Sequence, residues 1–219
     1  MRDSSSISEE NDISKVVSCI SQGIPYEHIL TSPKPENREF LKSIALEYLR
    51  KIDREKDYNL LCLCLEEIIS NSVKANIKRA YFIINNLDIN NHDDYVKGMK
   101  NFKELGVCNM RDPSFVEKIN KLGLYVIITF KFVDGCVNIT TRNNSVISKE
   151  EIERIEKKLK LSENQSPEDI FMNSIDMTEG AGLGIIMIKK IMKQISRAED
   201  CFSIRASETE TITELKILP

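Results

Sequence analysis

Thr178-Glu179-Gly180-Ala181-Gly182-Leu183-Gly184 runs directly into an apolar stretch at helical spacing, Ile185-Ile186-Met187-Ile188-Lys189-Lys190-Ile191-Met192. Glycines at alternate positions allow backbone conformations that other residues avoid, so the sequence predicts a loop that leads into a helix N-terminus. The first N–H groups of a helix lack intrahelical partners and carry the positive end of its dipole, which favours phosphate. The same pattern also fits a plain cap or hinge, so a second motif is needed to choose between them.

Composition narrows the class of protein. The 219 residues are 41% hydrophobic and 30% charged, which is enough for one domain with a substantial core. The net charge is −3 and lysines alternate with glutamates, so we expect no nucleic-acid partner. The six cysteines lack metal-site spacing, and no apolar run approaches the roughly 20 residues that cross a bilayer. We therefore expect a cytoplasmic protein with buried thiols and no membrane contact.

The sequence predicts three parts. Residues 1–35 form an N-terminal segment that is partly disordered, with a short helix over 13–20. Residues 36–57 form an accessory helix, because apolar residues recur at three- and four-residue steps. This helix either dimerises or covers the core. Residues 58–219 form the main domain, with a lid at about 146–179.

A helix that begins near Tyr58 carries the second motif. Its polar residues Glu67, Asn71, Lys74 and Lys78 are spaced i, i+4, i+7 and i+11, which places all four on one stripe. In isolation a charged stripe is more typical of a solvated helix face. Residues 80–84 either prolong this helix or form a strand.

Strands are predicted on both sides of the glycine stretch. Residues 124–132 and 136–141 are β-branched and aromatic, and Asp134-Gly135 between them predicts a tight antiparallel hairpin. The second strand ends in Asn143-Asn144-Ser145, and Ser148 then has the form of an N-cap for a Glu/Lys-rich helix that reaches about Leu161. Residues 201–207 and 211–218 are predicted as a closing pair of strands.

The combined order of these motifs resembles the ATP-binding domain of the gyrase, chaperone and histidine-kinase (GHKL) superfamily, the Bergerat fold. The resemblance covers residues 58–219 and is closest to the catalytic domains of sensor histidine kinases and the anti-sigma-factor kinases. It implies an α+β, two-layer α/β sandwich with a mixed, mostly antiparallel sheet and helices on one face. It also implies ATP and Mg²⁺ as ligands.

The resemblance assigns roles to individual residues. Asn71 matches the asparagine that ligates Mg²⁺, and Glu67 matches the glutamate that activates water in hydrolytic members, so Glu67 is the catalytic candidate. Lys74 becomes a phosphate partner. The phosphate-facing loop corresponds to Gly180, Gly182, Leu183 and Gly184.

The middle motif departs from the family. Its usual aspartate, which accepts a hydrogen bond from the adenine amino group, is followed by glycines, whereas this chain has Asn143, Asn144 and Ser145. The amide oxygen of Asn143 can still accept that bond. The missing glycines leave two alternatives: a loop with a different path that retains ATP, or a degenerate domain that does not bind it.

The predicted function is therefore an ATP·Mg²⁺-binding, histidine-kinase-like domain in signal transduction. It would transfer phosphate or hydrolyse ATP on or with a separate protein such as a response regulator, sigma factor or antagonist. Neither His28 nor His92 lies in the setting of a phosphoacceptor. The alternative is a non-catalytic, nucleotide-dependent switch that binds a protein, as in anti-sigma factors, or a pseudokinase.

Overall fold

Five strands form one antiparallel sheet, and six α-helices accompany them in the part of the chain that the structure describes. The computed structural model describes residues 4–30, 35–102, 117–118, 121–161, 183–196 and 200–219. Its elements are α1 (Ser4–Gln22), β1 (Tyr26–Leu30), α2 (Pro35–Lys51), a 3-10 turn (Glu55–Asp57), α3 (Tyr58–Ile84), α4 (His92–Asn101), β2 (Val126–Val133), β3 (Cys136–Asn143), α5 (Lys149–Leu161), α6 (Leu183–Ser196), β4 (Phe202–Ala206) and β5 (Thr211–Ile217). None of the described helices combines the length and apolarity needed to cross a membrane.

The predicted hairpin is confirmed as β2 and β3, with Val133 opposite Cys136. Asp134 and Gly135 both have positive φ angles, 52° and 78°, which match the twist of a two-residue hairpin turn. The strand order is β1-β2-β3-β5-β4. Every described pairing is antiparallel, whereas the prediction was a mixed, mostly antiparallel sheet.

The sheet has one buried and one open face. Strand pairing puts Ile128, Phe130, Ile139 and Leu215 on the same face, where they are at most 1% exposed. They join a core cluster with residues of α1, α2, α3 and α6. Lys131, on the other face, is exposed. Helices over one face of an antiparallel sheet make an α+β fold that is compatible with a two-layer α/β sandwich.

The N-terminal elements contribute to this same core. β1 pairs with β2 from Tyr26↔Phe130 to Leu30↔Val126 and forms one edge of the sheet. Local sequence patterns did not predict this strand. They predicted a short helix over 13–20, whereas α1 spans Ser4–Gln22. The predicted accessory helix is α2, whose Tyr48 donates a hydrogen bond to the Phe130 carbonyl at 2.9 Å.

Arg54 fastens the α2–α3 junction to the C-terminal part of the chain. Its Nε donates to Asp57 at 2.6 Å, Nη1 donates to the Leu218 carbonyl at 2.9 Å, and Nη2 donates to the carbonyl of Ile195 at the end of α6. The Arg54 and Asp57 side chains are largely buried. A single guanidinium therefore satisfies one of the carbonyls that a helix leaves without a partner at its C-terminus.

A second apolar cluster joins the end of α3 to α4. It consists of Tyr81, Phe82 and Ile89 with partly buried neighbours from α4, including Met99. Gly98 lies against the Phe82 ring so closely that a Cβ at position 98 would overlap it. This cluster places α4 beside the polar stripe of α3.

Candidate functional site

The polar stripe of α3 lines a cavity of about 660 Å³ between α3, α5, the start of α6 and one end of the sheet. Glu67, Asn71, Lys74 and Lys78 all face this cavity, as the predicted spacing requires. At a rise of 1.5 Å per residue, the stripe extends over roughly 16 Å of the helix. The cavity is therefore long enough for an extended ligand.

Glu67 and Asn71 form a pair at the α6 end of the cavity. The Nδ2 of Asn71 donates to Oε1 of Glu67 at 2.9 Å. Gly184, the second residue of α6, lies against the same carboxylate, and a Cβ at that position would overlap it. The predicted catalytic carboxylate, the predicted metal ligand and the last glycine of the motif therefore lie in direct contact.

A buried polar triad closes the sheet end of the cavity. The Nδ2 of Asn143 donates to Oγ of Ser145 at 2.9 Å, and Ser145 Oγ donates to Oδ1 of Asn76 at 2.8 Å. Asn143 is 3% exposed. Thr211 on β5 donates to the Ser145 carbonyl at 2.7 Å, which fixes the path of the chain after β3. With its amide nitrogen bound to Ser145, the acceptor end of Asn143 is the oxygen.

The N-terminus of α5 is tied to α3. The predicted N-cap is confirmed, since Ser148 Oγ accepts from the Glu151 N–H at 3.3 Å while Glu151 Oε2 accepts from the Ser148 N–H at 3.1 Å. This reciprocal arrangement is a capping box. The other Glu151 oxygen forms an ion pair with Lys78. Glu151 therefore shares its charge between a helix cap and a cavity lysine.

Two arginines border the same end of the cavity. Arg79 donates to the Val146 carbonyl, and burial lowers the pKa of its guanidinium below the ordinary value. Arg154 on α5 donates to the Tyr95 hydroxyl on α4 at 2.6 Å. These contacts connect α3 to the segment that precedes α5, and α5 to α4.

Positive charge dominates the cavity wall. Two carboxylates, Glu67 and Glu151, line the wall with five basic side chains, which are Lys74, Lys78, Arg79, Arg154 and Lys158. The whole chain has a net charge of −3, so this concentration of cations is local. A concave site of one charge sign attracts ligands of the opposite sign, here a polyanion.

Apolar side chains form another part of the cavity wall. Ile89, Met99 and Phe102 come from the α4 region, and Ile147 and Ile155 come from the α5 region. Ligand sites typically combine apolar walls with a few oriented polar groups. The cavity therefore offers both apolar and cationic contacts to a ligand.

Six of the eight predicted site residues share this cavity: Glu67, Asn71, Lys74, Asn143, Leu183 and Gly184. Gly180 and Gly182 lie outside the described residues, and so does the lid after residue 161.

Four further residues of the site were not predicted from sequence patterns: Asn76, Arg79, Arg154 and Lys158. The last two repeat at i, i+4 on α5, and with Glu151 and Ile155 they form a single face that lines the cavity, whereas the prediction placed this helix in the lid without assigning cavity residues on it.

Asn71 also suits a hard metal ion. Its nitrogen is engaged by Glu67, so the amide oxygen is the end left for a cation, and Mg²⁺ prefers oxygen ligands. Within the described ranges, no group of three or more His, Cys, Asp or Glu side chains is placed to hold a metal. A metal at Asn71 would take its other ligands from phosphate oxygens and water.

Comparison with known proteins finds a distant relative of this chain. No protein-family model matches the chain. A Treponema pallidum (strain Nichols) protein described as an uncharacterized protein is 28% identical over 208 residues, which cover 94% of this chain and 40% of that protein. The chain therefore spans about two fifths of the length of this relative.

Proposed function

We propose that the chain is an ATP·Mg²⁺-binding domain of the histidine-kinase-like (Bergerat) type. The observation that carries this proposal is that Glu67, Asn71, Asn143 and Gly184, drawn from three separate motifs, line a single cavity. These motifs are up to 117 positions apart in the sequence, so their convergence is a property of the fold. The excess of basic side chains on the wall supports a triphosphate ligand independently.

Three residues of the cavity have definite tasks at the phosphates in this proposal. Asn71 would hold Mg²⁺, which supplies charge neutralisation at the phosphates. Lys74 is exposed, and in the described part of the chain it has no ion-pair or hydrogen-bond partner, so its ammonium group is available to a phosphate. Glu67 would accept a proton from an attacking water if the domain hydrolyses ATP.

The adenine would be recognised at the polar triad. Asn143 takes the position of the family aspartate, and its amide oxygen would accept from the adenine amino group. Ser145 and Asn76 fix the orientation of the Asn143 amide through their hydrogen bonds. The glycines of the family motif have no side chains that could form such bonds. The departure from the family motif is in this way compatible with adenine binding.

The direct test is calorimetric titration of the chain with a non-hydrolysable ATP analogue, with and without Mg²⁺. We expect saturable binding that Mg²⁺ strengthens, and we expect Asn71→Ala to remove the effect of Mg²⁺. Lys74→Ala should weaken binding in both conditions. Absence of binding at millimolar nucleotide would contradict the proposal.

Two controls separate nucleotide recognition from simple attraction of anions. Inorganic tripolyphosphate should bind more weakly than the ATP analogue, because it cannot use the triad or the apolar wall. Glu66→Ala changes the neighbouring carboxylate, which pairs with Lys42 away from the cavity, and should leave binding unchanged. Equal affinity for tripolyphosphate and ATP would indicate a polyanion site without base recognition.

A non-catalytic nucleotide switch is the second candidate. It is favoured by the Lys78–Glu151 ion pair, because an incoming phosphate would compete with Glu151 for Lys78 and loosen α5. The two functions differ in phosphotransfer to a separate signalling protein such as a response regulator, sigma factor or antagonist. Incubation with γ-labelled ATP and a cell extract should give labelled protein or released phosphate for a kinase or ATPase, and neither for a switch.

A further inference from the structure

The side chain of Glu67 lies across the first turn of α6. A Cβ built on Gly184 would overlap three atoms of this side chain, namely Cγ, Cδ and Oε1. Gly184 has no positive φ angle and lies within regular helix, so its backbone conformation does not require glycine. The closeness of Glu67 is therefore the reason the structure gives for a glycine at this position.

The same Oε1 sets the orientation of the Asn71 amide. It accepts a hydrogen bond from Nδ2 at 2.9 Å. An amide rotated by half a turn would direct its oxygen at the carboxylate, and two acceptors repel each other. As long as Glu67 stays in place, Asn71 must direct its oxygen away from the carboxylate.

We propose that Glu67 is a positioning residue for Asn71, and that the start of α6 at Gly184 leaves Glu67 the space for this task. The inference rests on the proposed function, in which Asn71 holds the metal. It adds a dependence on position 184: a side chain there would displace Glu67 and release the Asn71 amide. Outer partners that orient a metal ligand typically change metal affinity by roughly 10- to 100-fold when removed.

The positioning role can be separated from proton transfer by two substitutions at position 67. Glu67→Gln keeps an acceptor oxygen, so metal affinity should stay within about threefold of the wild type, whereas a water-activating carboxylate would be lost. Glu67→Ala removes the acceptor, so Mn²⁺ affinity in the presence of an ATP analogue should fall by roughly tenfold or more. Mn²⁺ binding is followed by electron paramagnetic resonance, which does not depend on turnover.

A double-mutant cycle tests the part assigned to Gly184. Gly184→Ala alone should weaken Mn²⁺ binding as Glu67→Ala does, and it should have no further effect in the Glu67→Ala background. Additive losses would overturn the inference, and so would wild-type Mn²⁺ affinity in Glu67→Ala. Glu66→Ala is the matched control on the same helix.

A measurement without nucleotide keeps this inference distinct from the proposed function. In NMR spectra of the free protein, the Asn71 side-chain amide signal, identified by its loss in Asn71→Ala, should shift in Glu67→Ala and Gly184→Ala and stay near its wild-type position in Glu67→Gln. An unchanged signal in Glu67→Ala would refute the positioning role even if ATP binds. A protein that binds no nucleotide but gives the expected shifts would refute only the proposed function.

Discussion

The Glu151 carboxylate holds α5 to α3 through two contacts that can be removed separately. One oxygen completes the capping box with Ser148, and the other pairs with Lys78. Ser148→Ala removes the cap hydroxyl and keeps the ion pair. Glu151→Gln keeps an oxygen for the Ser148 N–H and loses the ion pair. Comparison of the two variants therefore measures each contact.

The structure sets the expected magnitudes. Loss of an N-cap hydroxyl costs about 1 kcal/mol of folding free energy. Breaking a fully buried ion pair costs about 3–5 kcal/mol, because one charge is left buried without its partner. The Lys78 and Glu151 side chains retain 15% and 13% exposure, so we expect about 2–3 kcal/mol for Glu151→Gln. Lys78→Met in that background should recover much of the loss, since it removes the ammonium group that has lost the Glu151 carboxylate.

Urea denaturation followed by circular dichroism provides the free energies of unfolding. Glu151→Gln should lower stability but raise the affinity for an ATP analogue, because it removes a negative charge from the cavity wall. Two unit charges about 8 Å apart interact by about 2 kcal/mol at an effective dielectric constant of about 20, so nucleotide affinity should rise on the order of 30-fold. A stabilising role of the ion pair would be refuted if Glu151→Gln lowers the free energy of unfolding no more than Ser148→Ala does and the added Lys78→Met restores none of it.

Three further changes test the fold. Arg54→Ala should cost about 3 kcal/mol in urea denaturation because it leaves a buried carboxylate and two carbonyls without their donor, whereas Arg50→Ala, an exposed control, should cost under about 0.5 kcal/mol. Burial raises the pKa of Tyr48 from 10.0 to about 12. The contribution of its neutral hydroxyl to the free energy of unfolding is therefore complete below pH 10 and is lost as the pH rises towards 12. Tyr48→Phe should flatten that decline in pH-dependent unfolding, and an identical decline would exclude Tyr48 as its source. Gly98→Ala should lower stability by about 1–3 kcal/mol through overlap with Phe82, and Phe82→Leu should relieve part of it; equal melting temperatures for Gly98→Ala and wild type would contradict the close contact.

Local patterns in the sequence predicted the elements whose partners are nearby. The β2–β3 hairpin follows from Asp134-Gly135 between two alternating strands, and the α3 stripe follows from helical periodicity. Both depend on interactions within a few residues. The Ser148 cap was predictable for the same reason, since its hydrogen bonds connect residues three positions apart.

Features that depend on distant partners were not predictable from local patterns. β1 is only five residues long, and its place in the sheet depends on pairing with β2, about a hundred residues later in the chain. On α5, periodicity identifies the apolar side but cannot say which polar residues face a cavity, so Arg154 and Lys158 were not predicted as cavity residues. The Gly184–Glu67 contact joins elements more than a hundred positions apart, and no spacing rule predicts it.

The pairing of β1 with β2 also constrains the order of folding during synthesis. Tyr26 and Phe130 are neighbours in the sheet but about a hundred residues apart in the chain, so ribosomes that add 5–20 residues per second would need roughly 5–20 seconds to supply the second strand. β3, at the centre of the sheet, must wait further for β5. During that interval apolar strand faces lack their cover, so we expect slow folding with high contact order and a period of dependence on chaperones.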